Sequence, residues 1–237
     1  ILAWLYETGD PHLQACIASD VDVSVSSLDD LSDVLIAGSG RVARVQLKVD
    51  SGLGRAGCQP ADWPALVRAT RDSVDAGHIE VTGIWSHLAC SDEPRRPEND
   101  AQLAVFVECV DHALEHGVAA EAHLANTAAA LTRPDMRFDM VRIGIGGYGI
   151  SPGPDLGTSA DLGLVPIMTL VTHVAQVKTV PAFHGVSYGH RWAANRPSRL
   201  ALVPLGYADG IPRGAEGAQV LIAGQRVPIV GRIAMDQ

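Results

Sequence analysis

The fold of this chain is decided by the stretch VARVQLKVDSGLGRAG, residues 42–57. An apolar and β-branched run (42–50) ends in a lysine and an aspartate, and the glycines that follow let the backbone turn tightly. A segment with helical periodicity, WPALVRATRDSVDAGH (63–78), comes next, and then a second apolar run, VTGIWSHL (81–88). Strand, bend, helix and strand in this order form the unit of a parallel sheet.

The same unit recurs through the first 150 residues. A second helix is predicted at 100–117, and further strands are predicted at 1–6, 21–27, 121–126 and 140–146. Six such strands end near residue 150, whereas a closed eight-stranded barrel takes about 250 residues. The pattern therefore predicts an α/β fold, a partial (β/α)8 TIM-type barrel with its site at the carboxyl ends of the strands.

After Gly149 the pattern changes. A Pro- and Gly-rich connector (151–166) leads to long strand-like runs without helices at 167–180, 199–206 and 219–233. The sequence thus predicts two domains, a barrel over 1–150 and a β-rich domain over 151–237. Because the chain opens inside an apolar run without a start methionine, we expect it to be an internal piece of a longer protein.

Composition narrows the class of protein. The net charge is −9 and no basic run occurs, which argues against a nucleic-acid partner because phosphate binding needs clustered Lys and Arg. The four cysteines show no CxxC spacing and no His/Cys ligand cluster, so neither a metal site nor a disulfide framework is predicted. No apolar stretch reaches the ~20 residues that cross a bilayer, and no signal-peptide pattern opens the chain. We expect a cytoplasmic protein without membrane contact.

Polar residues at the ends of the predicted strands are candidates for a site. They are Lys48, Arg55, His87, Asn126, Thr127 and Arg142. Arg142 lies within an apolar run, where an unpaired guanidinium would cost several kcal/mol. Its partner is either a carboxylate such as Asp139 or a ligand atom at the mouth of the barrel. Gly144, Gly146 and Gly147 would let backbone N–H groups approach a phosphate closely.

Tyr188 lies in a glycine-flanked bend, GVSYGH (185–190). Two interpretations are open. The residue is either a turn tyrosine with its hydroxyl in water, or a phenol held at the edge of a cleft.

Six segments, in this order and at these intervals, resemble the alanine racemase family. They are KVDSGLGRAG (48–57), HLANTAAA (123–130), FDMVRIGIGGYGISP (138–152), GVSYGH (185–190), LGYADG (205–210) and VGRIAMDQ (230–237). The resemblance implies an N-terminal barrel, a C-terminal β domain and pyridoxal 5′-phosphate as cofactor. It also implies interconversion of L-alanine and D-alanine, which supplies D-alanine for peptidoglycan.

The resemblance also implies roles for individual residues of the barrel. Arg142 would donate to the pyridine nitrogen of the cofactor. Its phosphate would be held by Thr127, Gly144 and Ile145, with Asn126 as a further cofactor contact. Arg55 would reach the phenolic oxygen of the cofactor and the substrate, and Lys48 matches a lysine that is often carbamylated in the family.

For the reaction itself, the resemblance implies two acid-base groups, of which one is Tyr188 from the partner subunit. A free phenol with a pKa of about 10 is a poor base at neutral pH, so His87 and Arg142 would form a hydrogen-bonded chain that favours its ionised form. Tyr207 and Met235 would face the substrate. A site shared in this way implies a homodimer.

The lysine that binds the cofactor in the family matches neither Lys48 nor Lys178, the two lysines of this chain. We therefore expect that lysine upstream of Ile1, and we expect this chain alone to be inactive. A broader amino-acid racemase is one alternative. A non-catalytic barrel protein that binds pyridoxal phosphate is another, which would explain the unmatched lysine but not Tyr188. A barrel-type decarboxylase is disfavoured because it would place an acidic residue, rather than Arg142, against the pyridine nitrogen.

Overall fold

The computed structural model describes all 237 residues, which divide into two compact units, Ile1–Met168 and Thr169–Gln237. Residues 151–168 pack on the earlier part of the first unit. The Ile167 N–H donates to the Tyr148 carbonyl, and Gly149, at φ +76°, lies against the Val165 backbone where a β-carbon would overlap it. The division into domains at 150/151 remains a prediction, and these contacts explain why the compact units separate later in the chain.

The first unit contains five parallel strands in the order β1-β2-β3-β4-β5. The strands are β1 (Leu2–Ala3), β2 (Asp22–Val25), β3 (Ala43–Lys48), β4 (Ile79–Trp85) and β5 (Glu121–His123). Each is followed by a helix: α1 (Leu13–Ala18), α2 (Leu28–Ala37), α3 (Trp63–Asp75), α4 (Pro97–Glu115) and α5 (Thr127–Thr132). The predicted strand-helix alternation is confirmed for these elements.

The two faces of the sheet carry different chemistry. In β3, Val45 and Leu47 are fully buried in the apolar core together with Trp63 of α3 and Phe106 of α4. Successive side chains of a strand point to opposite faces, so Gln46 and Lys48 lie on the other, polar face. Both of these polar residues are buried too, which means that polar groups occupy the interior of the curved sheet.

A β-bulge interrupts the pairing of β3 with β4. Val45 pairs with Val81, but the next pair is Gln46 with Gly83, so Thr82 is the extra residue. Bulges of this kind re-aim side chains and are common next to active sites. Here the bulge sets Gly83 directly opposite Gln46.

The strand predicted at 140–146 is wrong. This segment makes only two separate backbone bonds to the β5 segment, from the Asp139 N–H to the Ala122 carbonyl and from the Arg142 N–H to the Ala125 carbonyl. No strand pairs with its other side, so no regular ladder forms, and Ile145–Tyr148 is a 3-10 turn. The Asp139 carboxylate accepts from the Ala122 N–H at 2.8 Å and is not the partner of Arg142.

The second unit is built from antiparallel pairs. They are β6 (Gln176–Val180) with β9 (Ser198–Leu202), β7 (Gly185–Val186) with β8 (Trp192–Ala193), and β10 (Gln219–Ile222) with β11 (Gln225–Pro228). The β10-β11 turn is Ala223-Gly224, both at positive φ, as two-residue hairpins prefer. The run predicted as a strand from residue 167 is one only from residue 176, because its partner β9 offers five residues for pairing.

Candidate functional site

The carboxyl ends of the parallel strands bring the predicted barrel residues to one edge of the first unit. Lys48 ends β3, His87 follows β4, and Asn126 follows β5. An open cleft of about 450 Å³ lies at this edge. Its lining includes His87, Asn126, Thr127, Arg142, Gly144 and Ile145. The cleft therefore lies where parallel α/β folds place their ligands.

Arg142 is held by five hydrogen bonds to neutral acceptors, four of them at 3.1 Å or less. Its Nη1 donates to His123 Nδ1 at 2.7 Å and to the His123 carbonyl at 3.1 Å. Its Nη2 donates to the carbonyls of Ser86 and Leu124 at 2.6 and 3.1 Å. Burial lowers the pKa of Arg142 to about 10, so the guanidinium remains charged at neutral pH. Its Nε–H has no acceptor within the chain, and this donor is left for a ligand.

His87 lies beside the same guanidinium, with its Nδ1 at 3.4 Å from Arg142 Nη2. Burial and then the charges of Arg142, Arg55 and Lys48 lower the pKa of His87 to about 4. The imidazole is therefore neutral at pH 7. The structure brings His87 and Arg142 together as predicted, and the further link to Tyr188 remains a prediction.

Lys48 is a buried cation with aromatic neighbours. Its side chain is 1% exposed, and its Nζ has no hydrogen-bond partner. The ammonium lies 4.7 Å from the centre of the Trp4 ring and 4.4 Å from that of Trp85, a typical cation–π distance. Burial, Arg55 and Arg142 lower the pKa of Lys48 to about 8.

The nearby Asp50 does not neutralise these cations, because its oxygens are engaged by its own loop. Oδ1 accepts from the N–H groups of Gly52 and Gly54, and Oδ2 accepts from Gln59. Asp50 thus shapes the glycine-rich loop that carries Arg55. The arrangement of cations without a paired carboxylate is suited to an anionic ligand.

Thr127, at the start of α5, contacts the glycine-rich loop at 144–147. The N–H groups of Gly144 and Gly146 donate to Thr127 Oγ1 at 3.0 and 3.3 Å. A β-carbon at position 146 would lie 2.5 Å from Thr127 Cγ2, so only glycine permits this approach. The adjacent Asn126 caps α5 through the Ala129 N–H and also accepts from the Ser91 hydroxyl.

Three further predicted residues, Tyr188, Tyr207 and Met235, belong to the second unit. Their exposed fractions are 65%, 45% and 55%. The Tyr207 N–H donates to the Ala234 carbonyl, and Ser187, the neighbour of Tyr188, donates its hydroxyl to the Arg232 carbonyl at 2.6 Å. Both loops are therefore fastened to the stretch that carries Met235. The substrate and proton-transfer roles of these residues remain predictions.

Sequence reasoning missed the residues that support Arg142 from behind. His123, Gln46 and Asp22 form a buried chain of hydrogen bonds, and the Trp85 ring stacks on His123 with an interplanar angle of 6°. Polar residues at alternate positions of buried strands were the available signal. No group of three or more His, Cys, Asp or Glu side chains is placed to hold a metal ion, and none of the helices has the length and apolar character needed to cross a membrane.

A parallel β/α sheet with a cleft at its strand ends that is lined by Arg142, joined to an antiparallel β unit, defines a two-unit protein of the α/β barrel class. Within that class, the chain belongs to the alanine racemase family. The model of the alanine racemase N-terminal domain matches residues 1–152, and that of the C-terminal domain matches residues 167–237. The fold class and the family resemblance predicted from the sequence are confirmed.

Individual relatives agree with this assignment. The chain is 50% identical to an alanine racemase of Streptomyces coelicolor and 47% identical to one of Mycobacterium tuberculosis. The crystal structure of alanine racemase from D-cycloserine-producing Streptomyces lavendulae is 51% identical, with a TM-score of 0.95 over 100% of this chain and 63% of that one. The whole of this chain is matched, but it spans only 62% of the length of the two curated relatives.

Proposed function

We propose that this chain provides the cofactor and substrate site of a pyridoxal-phosphate-dependent alanine racemase, which interconverts L-alanine and D-alanine. The observation that carries the proposal is Arg142. This guanidinium lines the cleft, remains charged, and makes all its hydrogen bonds to carbonyls and to the imidazoles of His123 and His87, with Nε–H unengaged. Such a group is placed to donate to a neutral acceptor on a ligand.

The residues around the cleft fit pyridoxal phosphate. Thr127 and the N–H groups of Gly144 and Ile145 would hold its phosphate. The Gly144 N–H, which donates to Thr127 Oγ1 in this structure, would exchange that acceptor for a phosphate oxygen. Asn126, which orders the start of α5, would be a further contact. Arg55, near the Trp4 ring, would meet the phenolic oxygen. Arg142 Nε would meet the pyridine nitrogen.

When bound, the cofactor supplies an electron sink that stabilises negative charge at the substrate Cα. Arg142 limits this effect because, with a pKa of about 10, it donates a hydrogen bond to the pyridine nitrogen without giving up its proton. His87, neutral at pH 7, can accept or donate a hydrogen bond beside it. These residues therefore favour return of the proton to Cα over side reactions that need a protonated ring.

Racemisation requires that one group removes the Cα proton and another delivers a proton to the opposite face. We assign one of these roles to Tyr188 and the other to a lysine outside the 237 residues, since Lys178 is an exposed β6 residue and Lys48 is enclosed by two indole rings. Tyr207 and Met235 would border the substrate. Lys48, if carbamylated as in the family, would become an anion that pairs with Arg55.

The first test is borohydride reduction of the complete gene product in the presence of pyridoxal phosphate, followed by peptide mapping. Label on a lysine outside residues 1–237 supports the proposal. Label on Lys48 or Lys178, or no label, would overturn it. Activity with alanine and serine as parallel substrates then separates an alanine racemase from the broader amino-acid racemase.

We also propose that the active protein is a cytoplasmic homodimer whose sites combine the barrel of one subunit with Tyr188 of the other. A complementation experiment tests this point. Tyr188→Phe and Arg142→Gln variants are each inactive, but a dimer containing one copy of each retains one intact site. Mixing and refolding equal amounts should restore about a quarter of wild-type activity, because half of the dimers are mixed and carry one good site of two. No recovery would show that each site is built from a single subunit.

The D-alanine formed would supply peptidoglycan synthesis.

A further inference from the structure

A line of buried side chains leads from the cleft into the interior of the curved sheet. Arg142 Nη1 lies 2.7 Å from His123 Nδ1, His123 Nε2 lies 2.8 Å from Gln46 Oε1, and Gln46 Nε2 lies 2.7 Å from Asp22 Oδ2. His123, Gln46 and Asp22 are 2%, 6% and 8% exposed. None of these three lines the cleft, so they act on a ligand only through Arg142.

The two ends of this line agree on the direction of every hydrogen bond, because the Arg142 guanidinium can only donate. An ionised Asp22 can only accept, so Gln46 must present its NH₂ group to Asp22 and its amide oxygen to His123. Burial and the Arg142 charge lower the pKa of His123 to about 4, so this imidazole is neutral at pH 7. The Gln46 oxygen can only accept, so the single ring proton of His123 is on Nε2. Nδ1 is then unprotonated and accepts from Arg142 Nη1.

The far end of the line is firmly ionised. Burial opposes ionisation of Asp22, but hydrogen bonds from Thr82, Gln46 and Arg44 outweigh it and lower the pKa of this carboxyl. Thr82 and Arg44 both approach to 2.7 Å. At neutral pH Asp22 is therefore an acceptor only, as the hydrogen-bond directions require.

The surrounding backbone is shaped for this line. The bulge of β4 sets Gly83 opposite Gln46, and a β-carbon at Gly83 would lie 2.9 Å from both Oε1 and Cδ of the Gln46 amide. On the other side, Trp85 stacks on the His123 ring at a centroid distance of 5.8 Å. The amide and the imidazole are thus confined to the positions that the hydrogen bonds use.

We propose that Gln46 and Asp22 are positioning residues, which fix the proton of His123 on Nε2 and thereby orient the Arg142 guanidinium toward the cleft. If His123 carried its proton on Nδ1, two N–H groups would face each other and Arg142 Nη1 would keep only its longer bond to the His123 carbonyl. The guanidinium would then turn away from its present position. This inference rests on the proposed function only for the identity of the ligand that Arg142 meets.

The first test needs no variant and no cofactor. In the ¹⁵N spectrum of histidine-labelled protein at pH 7, His123 should show an unprotonated Nδ1 and a protonated Nε2. A protonated Nδ1 would overturn the proposal, whatever the protein is found to catalyse.

The second test replaces the amide. Gln46→Met keeps the length of the side chain but removes its amide, so the Nε2–H loses its acceptor and the neutral form with the proton on Nδ1 should become populated. Asp22→Asn, which can present its own NH₂ group, should give a mixture of the two neutral forms. Gln225→Met, at an exposed position of β11, is the matched control and should leave the His123 signals unchanged. An Nδ1 that stays fully unprotonated in both Gln46→Met and Asp22→Asn would refute the role of the line.

The third test links the line to the ligand. The dissociation constant of pyridoxal phosphate for the complete gene product should rise at least about tenfold in Gln46→Met, since one oriented hydrogen bond to the ligand is lost. Gln225→Met should bind as the wild type does. If the His123 signals change as expected while affinity does not, the positioning role is wrong. If the wild type itself fails to bind the cofactor, the proposed function is wrong and the ¹⁵N result still decides the proton position.

Discussion

Replacing Lys48 with methionine should stabilise the folded protein at neutral pH. The substitution keeps the length of the side chain but removes a charge that is 1% exposed and has no hydrogen-bond partner. Burial and the charges of Arg55 and Arg142 lower its pKa from 10.5 to about 8, which corresponds to ~3 kcal/mol against the charged form. Two cation–π contacts of about 0.5–1 kcal/mol each are lost with the charge, and this loss offsets part of the gain. We therefore expect a gain of about 2 kcal/mol.

The sign of the pH dependence follows from proton binding. Between pH 8 and 10.5 the unfolded chain holds the Lys48 proton and the folded protein does not, so the free energy of unfolding of the wild type rises with pH in this range. Guanidinium chloride unfolding at pH 7 and pH 10, in buffers free of carbon dioxide, measures both effects. Lys48→Met should be the more stable protein at pH 7, and most of the difference should vanish at pH 10.

Lys178→Met, in an exposed position of β6, is the matched control and should show no such pH-dependent difference. The reasoning is refuted if Lys48→Met is less stable than the wild type at pH 7, or if its advantage is the same at both pH values. Added bicarbonate extends the experiment. It should stabilise the wild type and leave Lys48→Met unchanged if Lys48 becomes carbamylated.

Three further substitutions test the site and the core. Asn126→Ala removes the cap of α5 and should cost about 1–2 kcal/mol in chemical denaturation, more than Ser27→Ala, which loses the α2 cap alone; equal costs would argue that the Ser91 contact contributes nothing. Gly146→Ala should weaken pyridoxal phosphate binding at least about tenfold, because the added methyl group meets Thr127 Cγ2. Adding Thr127→Ser, which removes Cγ2, should restore much of the affinity. A double variant that binds as weakly as Gly146→Ala contradicts this explanation. Phe106→Ala, in the core between α4 and the sheet, should lower the free energy of unfolding by about 3–5 kcal/mol, and a loss below 1 kcal/mol would show that the core refills the cavity.

The sequence predicted the elements whose formation depends on local pattern. Strands β2 to β4 follow from apolar runs that end in bends, and α3 and α4 follow from their helical periodicity. The segment 140–146 has an equally apolar pattern but forms no strand, because a strand exists only where a neighbour completes its ladder. The same reason shortens the run from 167, whose partner offers five residues. Pairing partners are a property of the whole fold and not of the segment.

The candidate site, too, could be predicted only in part. Lys48, His87 and Asn126 could be placed together because each lies at the end of a predicted strand, and parallel strands end at one edge. Arg142 was a candidate only because it is a charged residue within an apolar run. The line from Arg142 to Asp22 could not be predicted. It joins residues up to 120 positions apart through a bulge that shifts the register of β4 by one residue, and no short motif marks such a shift.

The close fit between Gly83 and Gln46 also constrains which sequences this fold can accept. A side chain at position 83 would meet the Gln46 amide, so it fits only if that amide moves or residue 46 is shortened. Either change weakens the connection between Asp22 and His123. The two positions should therefore vary together or not at all among related proteins, and a single-site library at position 83 should return glycine alone. Redesign of the cleft should therefore first settle the residues behind it, Gly83, Gln46 and Asp22, and only then the residues that line it.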